Sequence, residues 1–208
     1  MGRVKQRKRN SVVRERKSVV AIGCEGKNKT ETNYFRNFSS RECKIKFSTG
    51  NRTDPVGMAE DLVKYIKDED ISTEYGDKIY LLIDIDVNQN KQELINKAKI
   101  ICDQHNIELI VSNPTFEYWY ILHFGITNKS YQNSKQAKTE LRKILGDYTE
   151  SMDVFEIIKD KTQSAIANAK QVEKLQQDTG CVLYSEQCNP YTAVNKVVEE
   201  LIGRNKVK

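Results

Sequence analysis

Two carboxylates, Asp84 and Asp86, close the run IYLLIDID at residues 79–86, two positions apart at the end of a short, apolar, β-forming stretch. A second stretch of this kind, SVVAIGC at 18–24, leads directly into Glu25 and Gly26, and Thr30 and Glu31 follow where a helix should open. If the two stretches are neighbouring strands of one sheet, up to four acids meet at one end of it. Carboxylates crowded in that way repel one another unless a divalent cation or shared protons offset the charge, and Mg²⁺ or Mn²⁺ is the usual occupant of an all-oxygen site. A further acid, Glu117, sits inside the aromatic run FEYWYILHF at 116–124, where a carboxylate must be paired or near a metal unless it points outward. Metal-assisted chemistry on phosphate esters is the reaction class these groups suit. Each acid also has a plainer reading: strand-end aspartates cap helices, and Glu31 suits the positive end of a helix dipole.

Lys27, Lys29 and Arg52 fall on loops after expected strands and are the candidate phosphate contacts. His123 lies six positions after Glu117, on a different face of an ideal helix, and reads as a core histidine. There are only two histidines, and the five cysteines include no CxxC pair, so a zinc centre is disfavoured and reduced, buried thiols are expected. Oxygen-ligand chemistry is favoured by subtraction.

The elements that must position these groups alternate as a doubly wound α/β domain does. Strands are expected at about 18–24, 43–48, 78–84 and 108–112, and helices from Thr30, from Pro55, and over about 88–102. The strand at 43–48 alternates polar and apolar residues, which places it near an edge. SNP at 112–114 breaks the fourth strand, and the aromatic helix follows, its rings read as core. From about residue 134 the sequence is polar and helical, and a last helix is expected from near Pro190. The fold class predicted is therefore α/β, a Rossmann-like, mostly parallel sheet flanked by helices. It divides into a basic arm (1–17), a sheet domain (18–128) and a helical extension packed on it (129–208).

The chain has 208 residues, 38% hydrophobic and 30% charged, with a net charge of +5. The first 17 residues hold eight of the 34 basic side chains and one of the 29 acids, so the rest is net negative. A basic arm beside an acidic site points to a polyanionic partner, nucleic acid foremost. No window is long and apolar enough to cross a bilayer, and the basic start lacks the apolar stretch of a secretory signal, so a cytosolic protein is expected. No Walker A pattern occurs, so any ATP hydrolysis must come from another subunit.

Several motifs together resemble the RloB family. They are Glu25-Gly26 with Thr30-Glu31 and Tyr34-Phe35, Asp84-x-Asp86, SNPxFExW from Ser112 to Trp119, Leu122-His123-Phe124, and NPYT from Asn189 to Thr192. The family is found with bacterial restriction and abortive-infection loci, often beside an ABC-type ATPase. The first half is also similar to the Toprim domain of topoisomerases, primases and OLD-type nucleases, in which an acid after the first strand and a later DxD bind Mg²⁺. By that resemblance Glu25, Asp84 and Asp86 are the metal ligands and Glu31 the second acid of the OLD-like pattern. One departure stands out: the stretch from Glu25 to Glu31 is a residue longer than EGxxTE. The resemblance implies a Mg²⁺- or Mn²⁺-dependent endonuclease of an antiviral system, with RNA, tRNA in particular, favoured over DNA. Glu25, Glu31, Asp84, Asp86 and Glu117 are then its candidate catalytic residues, and a homodimer through the region after residue 128 is a further expectation. The competing expectation is a non-catalytic module that binds nucleic acid or a nucleotide and reports to an ATPase partner.

Overall fold

The computed structural model describes residues 16–25, 30–48, 50, 52–86, 91–127 and 129–206. Lys27, Lys29 and most of the basic arm therefore lie outside the described residues. Within them, five strands form a single sheet in the order β2-β1-β3-β4-β5. β1 (Ser18–Gly23), β2 (Cys43–Ser48), β3 (Lys78–Asp84) and β4 (Glu108–Asn113) run parallel, and β5 (Tyr191–Thr192) is antiparallel to β4. β1, β3 and β4 are apolar almost throughout because helices cover both faces, while β2, at the edge, keeps Lys44 exposed.

α1 (Thr30–Arg36) joins β1 to β2, and α2 (Pro55–Asp68) joins β2 to β3 on the far side of β1. Right-handed crossovers stepping in opposite directions put these two helices on opposite faces. α3 (Gln92–Gln104) packs beside α2, and Gly23 admits α2 closely: a Cβ there would stand 3.0 Å from both Leu62 Cδ2 and Leu81 Cδ1. Asp54 caps α2 by accepting from Gly57 N at 2.8 Å, and Pro55 opens the helix, where its missing N–H costs nothing. The other face carries α1 and α8 (Val194–Lys206), which crosses β2 and β4; Asn205 Nδ2 donates to Phe38 O at 3.1 Å.

Between β4 and β5 the chain forms α4 (Glu117–Leu122), α5 (Ser134–Leu145), the short α6 (Phe155–Ile158) and α7 (Thr162–Asp178). The last helix begins at Val194 rather than near Pro190, because Tyr191 and Thr192 pair instead with Asn113 and Ser112. The Ser112 and Thr192 hydroxyls lie 2.8 Å apart, and Ala193 N donates to Val111 O at 2.9 Å. The extension thus returns to the sheet and covers the β4 edge. Asn189 ties the same stretch to the segment before α5, donating to Tyr131 O at 2.6 Å and accepting from Tyr131 N at 3.0 Å. No helix among the described residues is long and apolar enough to cross a membrane.

Candidate functional site

The strand order reverses between β1 and β3, since the chain leaves β1 toward β2 and returns to its other side as β3. In open α/β sheets the crevice at the carboxyl ends of such strands is where ligands bind. Glu25 follows β1 and Asp84 ends β3, and with Gly23 in register with Leu81 the two acids come to about the same level.

Asp84 Oδ2 lies 2.9 Å from Thr115 Oγ1, and Glu117 Oε2 lies 2.5 Å from that same oxygen. A hydroxyl has one hydrogen to donate, so one of the two carboxyls must carry a proton and donate to Oγ1 in turn. Burial and the charge of Glu117 push the Asp84 carboxyl up to about 8, against the pull of the Thr115 bond and of Lys138. Asp84 is thus a carboxyl whose proton affinity the site raises. The second Glu117 oxygen accepts from Tyr148 OH at 3.0 Å and faces Lys138 Nζ at 3.8 Å, and Lys138 is also paired with Glu150 at 2.6 Å.

Glu31, in the first turn of α1, is 5% exposed, and its Oε2 is buried with no hydrogen-bond partner. Burial raises its carboxyl well above the ordinary carboxylate range, and the charges of Asp84, Glu117 and Glu25 add to the rise. The four acids therefore form one electrostatic unit. Cys24, buried beside it, has its thiol pushed up by burial and by Glu31 and Glu25, which keeps it protonated and poorly nucleophilic. All five cysteines are free.

Asp86 lies just past the strand end. β3 ends at Asp84, although Ile85 N still donates to Ser112 O at 2.8 Å, and Asp86 follows in the turn, with Oδ1 buried and unpartnered. The carboxylates acting most strongly on Asp84 and Glu31 are Glu117, Glu25 and Asp84 itself, not Asp86. Glu117, left without a role by its motif, takes the place beside Asp84. Among the described residues no group of three or more Asp, Glu, His or Cys side chains is already set around a common metal position.

Packing explains the placement. Tyr34 of α1 sits in a nest of aromatic edges from Phe35, Phe38, Phe116, Trp119 and Tyr120, with centroids 5.2–6.4 Å away. This wedge fixes the start of α1 against α4; Tyr120 OH donates to Thr30 O at 3.3 Å. The aromatic run is thus core, as its spacing suggests, and not a stacking platform. His123 is core as well: its Nδ1 lies 2.9 Å from Trp119 O, and burial lowers its pKa to about 4. The loop after α5 closes on the site, with Thr30 Oγ1 donating to Glu150 O at 3.0 Å and Asn33 Nδ2 to Ser151 O at 3.1 Å.

Arg52, at the carboxyl end of the β2 edge, is half exposed and paired with Glu60 at 2.5 Å and Asp61 at 3.6 Å. Thr115, Lys138 and Tyr148 were invisible to motif reading. Thr115 is the variable position of SNPxFE, and the other two lie in a polar stretch whose docking no periodicity reveals.

Neither the curated proteins nor the solved structures include one that matches this chain. A family model does, over residues 20–201, running from within β1 to within α8 and including every acid of the cluster. By that match the chain belongs to the RloB-like protein family.

Proposed function

We propose that the chain is a metal-dependent nuclease that hydrolyses phosphodiester bonds of nucleic acid, with RNA, and tRNA in particular, as the substrate. The observation that carries this reading is the pair Asp84 and Glu117, a half-buried and a buried carboxylate on one hydroxyl at the sheet's switch point, with Glu25 and the orphaned Glu31 Oε2 beside them. The donors are all hard oxygens, and burial with their mutual repulsion raises the proton affinity of Asp84 and Glu31. Mg²⁺ takes one or two carboxylates and keeps waters and substrate phosphates as its other ligands, so it suits a site without a ready-made protein cage. Asp84 and Glu117 would hold the cation, with Glu25 completing the site and Asp86 within the adjoining turn. A divalent cation there supplies stabilisation for charge developing on phosphoryl oxygens.

The chain's own groups do the rest. Thr115 orients Asp84 and Glu117 toward one point. Tyr148 and Lys138 hold the far oxygen of Glu117, so that carboxylate cannot rotate away. Glu31, whose carboxyl stays protonated well above the ordinary range, is suited to give or take a proton at the reacting oxygens. The family resemblance supports the wider setting: an effector of antiviral defence acting with an ABC-type ATPase, in which a homodimer through the helical extension is a further part of the proposal.

One observation favours a second reading. No three-ligand group stands assembled among the described residues, and both Glu117 oxygens are already engaged. A non-catalytic module that binds nucleic acid or a nucleotide and signals to the ATPase would tolerate such a site. Incubating the protein with total tRNA and with plasmid, in Mg²⁺, Mn²⁺ or EDTA, separates the two. Cutting that EDTA abolishes is expected; metal-independent gel shifts without cutting would favour the module.

A further inference from the structure

α5 carries Lys135, Lys138, Arg142 and Lys143, and at about 100° per residue these four cations fall within an arc of about 140° on one side of the helix. Ala137 and Leu141 form the buried stripe, and Lys138 flanks it, 16% exposed, with its ammonium at Glu117. The other end of the arc opens into a cavity of about 460 Å³ lined by Lys129, Lys135, Gln136, Thr139, Glu140 and Lys143. Glu140 is the single acid there, shared by Lys129 at 3.4 Å and Lys143 at 3.7 Å, so the cavity keeps a positive excess. Lys135 has no ion pair among the described residues.

We propose that α5 is the phosphate-tracking helix of the molecule, along which the sugar-phosphate backbone of a nucleic-acid strand runs from the lysine cavity to the carboxylate cluster. A free phosphate or a mononucleotide would fill the cavity alone. A strand repeats its phosphates, so one can occupy the cavity while another meets Lys138, which lies one helical turn, about 4.5 Å of rise, beyond Lys135. The cavity cations offset backbone charge without reading bases, the usual division between positioning and specificity. Lys138 is a positioning residue in this scheme, and that role alone rests on the nuclease reading; the track itself would serve a binding module equally.

The test measures binding without cleavage, in the full chain carrying Asp84→Asn, with a fluorescent 20-nucleotide single-stranded RNA titrated across a salt series. Lys129→Gln, Lys135→Gln and Lys143→Gln together should weaken binding at least about tenfold at low salt and flatten the log K against log salt slope by about 2, since each phosphate contact on a single strand contributes about 0.7. Lys135→Gln alone should flatten it by about 0.7. Three substitutions of equal charge at exposed positions elsewhere, Lys67→Gln, Lys97→Gln and Lys174→Gln, should change affinity by less than about twofold. Because all six residues are charged surface groups, thermal melts should coincide with the parent's. An unchanged slope in the α5 variant, or an equal loss in the control variant, overturns the proposal. If the Asp84→Asn chain cuts RNA, the nuclease assignment falls while the binding comparison stands.

Discussion

Asp84 and Glu117 lean on one hydroxyl, and that geometry forces a proton into the site whenever no cation is there. The consequence is a pH dependence of stability with a definite sign. Asp84 titrates near 3.8 in an unfolded chain and near 8 in the folded one. Between those values the folded state binds more protons, so stability is full below about pH 4 and is lost as pH rises toward 8. Glu31, raised in the same direction by burial, adds to the trend. The melting temperature of metal-free protein should therefore fall from pH 5 to pH 8, and Asp84→Asn should flatten that fall; a melting temperature that rises over the interval would contradict the assignment. On the proposed nuclease reading, the same geometry ranks the acids. Asp84→Asn and Glu117→Gln, each with the fold intact by circular dichroism, should cut the cleavage rate by more than about 100-fold, the scale of losing a charge-stabilising group. Asp86→Asn, outside the hydroxyl-bridged pair, should cost less.

At the scale of elements, the opposite rim of the sheet offers a control. Asp77, wholly buried at the amino end of β3, accepts from Arg16 at 2.9 Å, from Val19 N at 2.9 Å and from Ser72 N at 3.1 Å. Arg16 also covers the Tyr75 ring at 4.6 Å. Asp77→Ala leaves three donors unmet and should destabilise by about 3 kcal/mol, measured by urea unfolding, with turnover unchanged at a temperature where the variant is folded. Three of the parallel strands were legible as unbroken apolar runs, β2 by its alternation of polar and apolar residues, and α2 by the proline that opens it. β5 was not. Two residues carry no period, and Tyr191 and Thr192 become a strand only because Ser112 and Asn113 offer an open edge. Glu25 and Asp84 were legible as strand-end acids. Asp86, two positions on, lies in the turn after the strand. Thr115 escaped because it is the variable position of its motif, and Lys138 and Tyr148 because their roles arise only when the extension packs against Glu117 of α4.

For the whole molecule, charge is divided by place. Arg16 pairs with Asp77 at the amino rim of the sheet, and the carboxylates stand at the other rim, where Lys138 of α5 faces Glu117. Removal of residues 1–15 should weaken RNA binding and lower its salt sensitivity while leaving the melting temperature of the remainder unchanged. On the proposed reading the carboxylate cluster holds a divalent cation, and Mn²⁺ binding followed by electron paramagnetic resonance tests this without any substrate. The wild-type chain should bind Mn²⁺ at neutral pH, competed by Mg²⁺, and Asp84→Asn or Glu117→Gln should abolish that binding with the fold retained. Binding undiminished in both variants, or none in the wild-type protein, would contradict it.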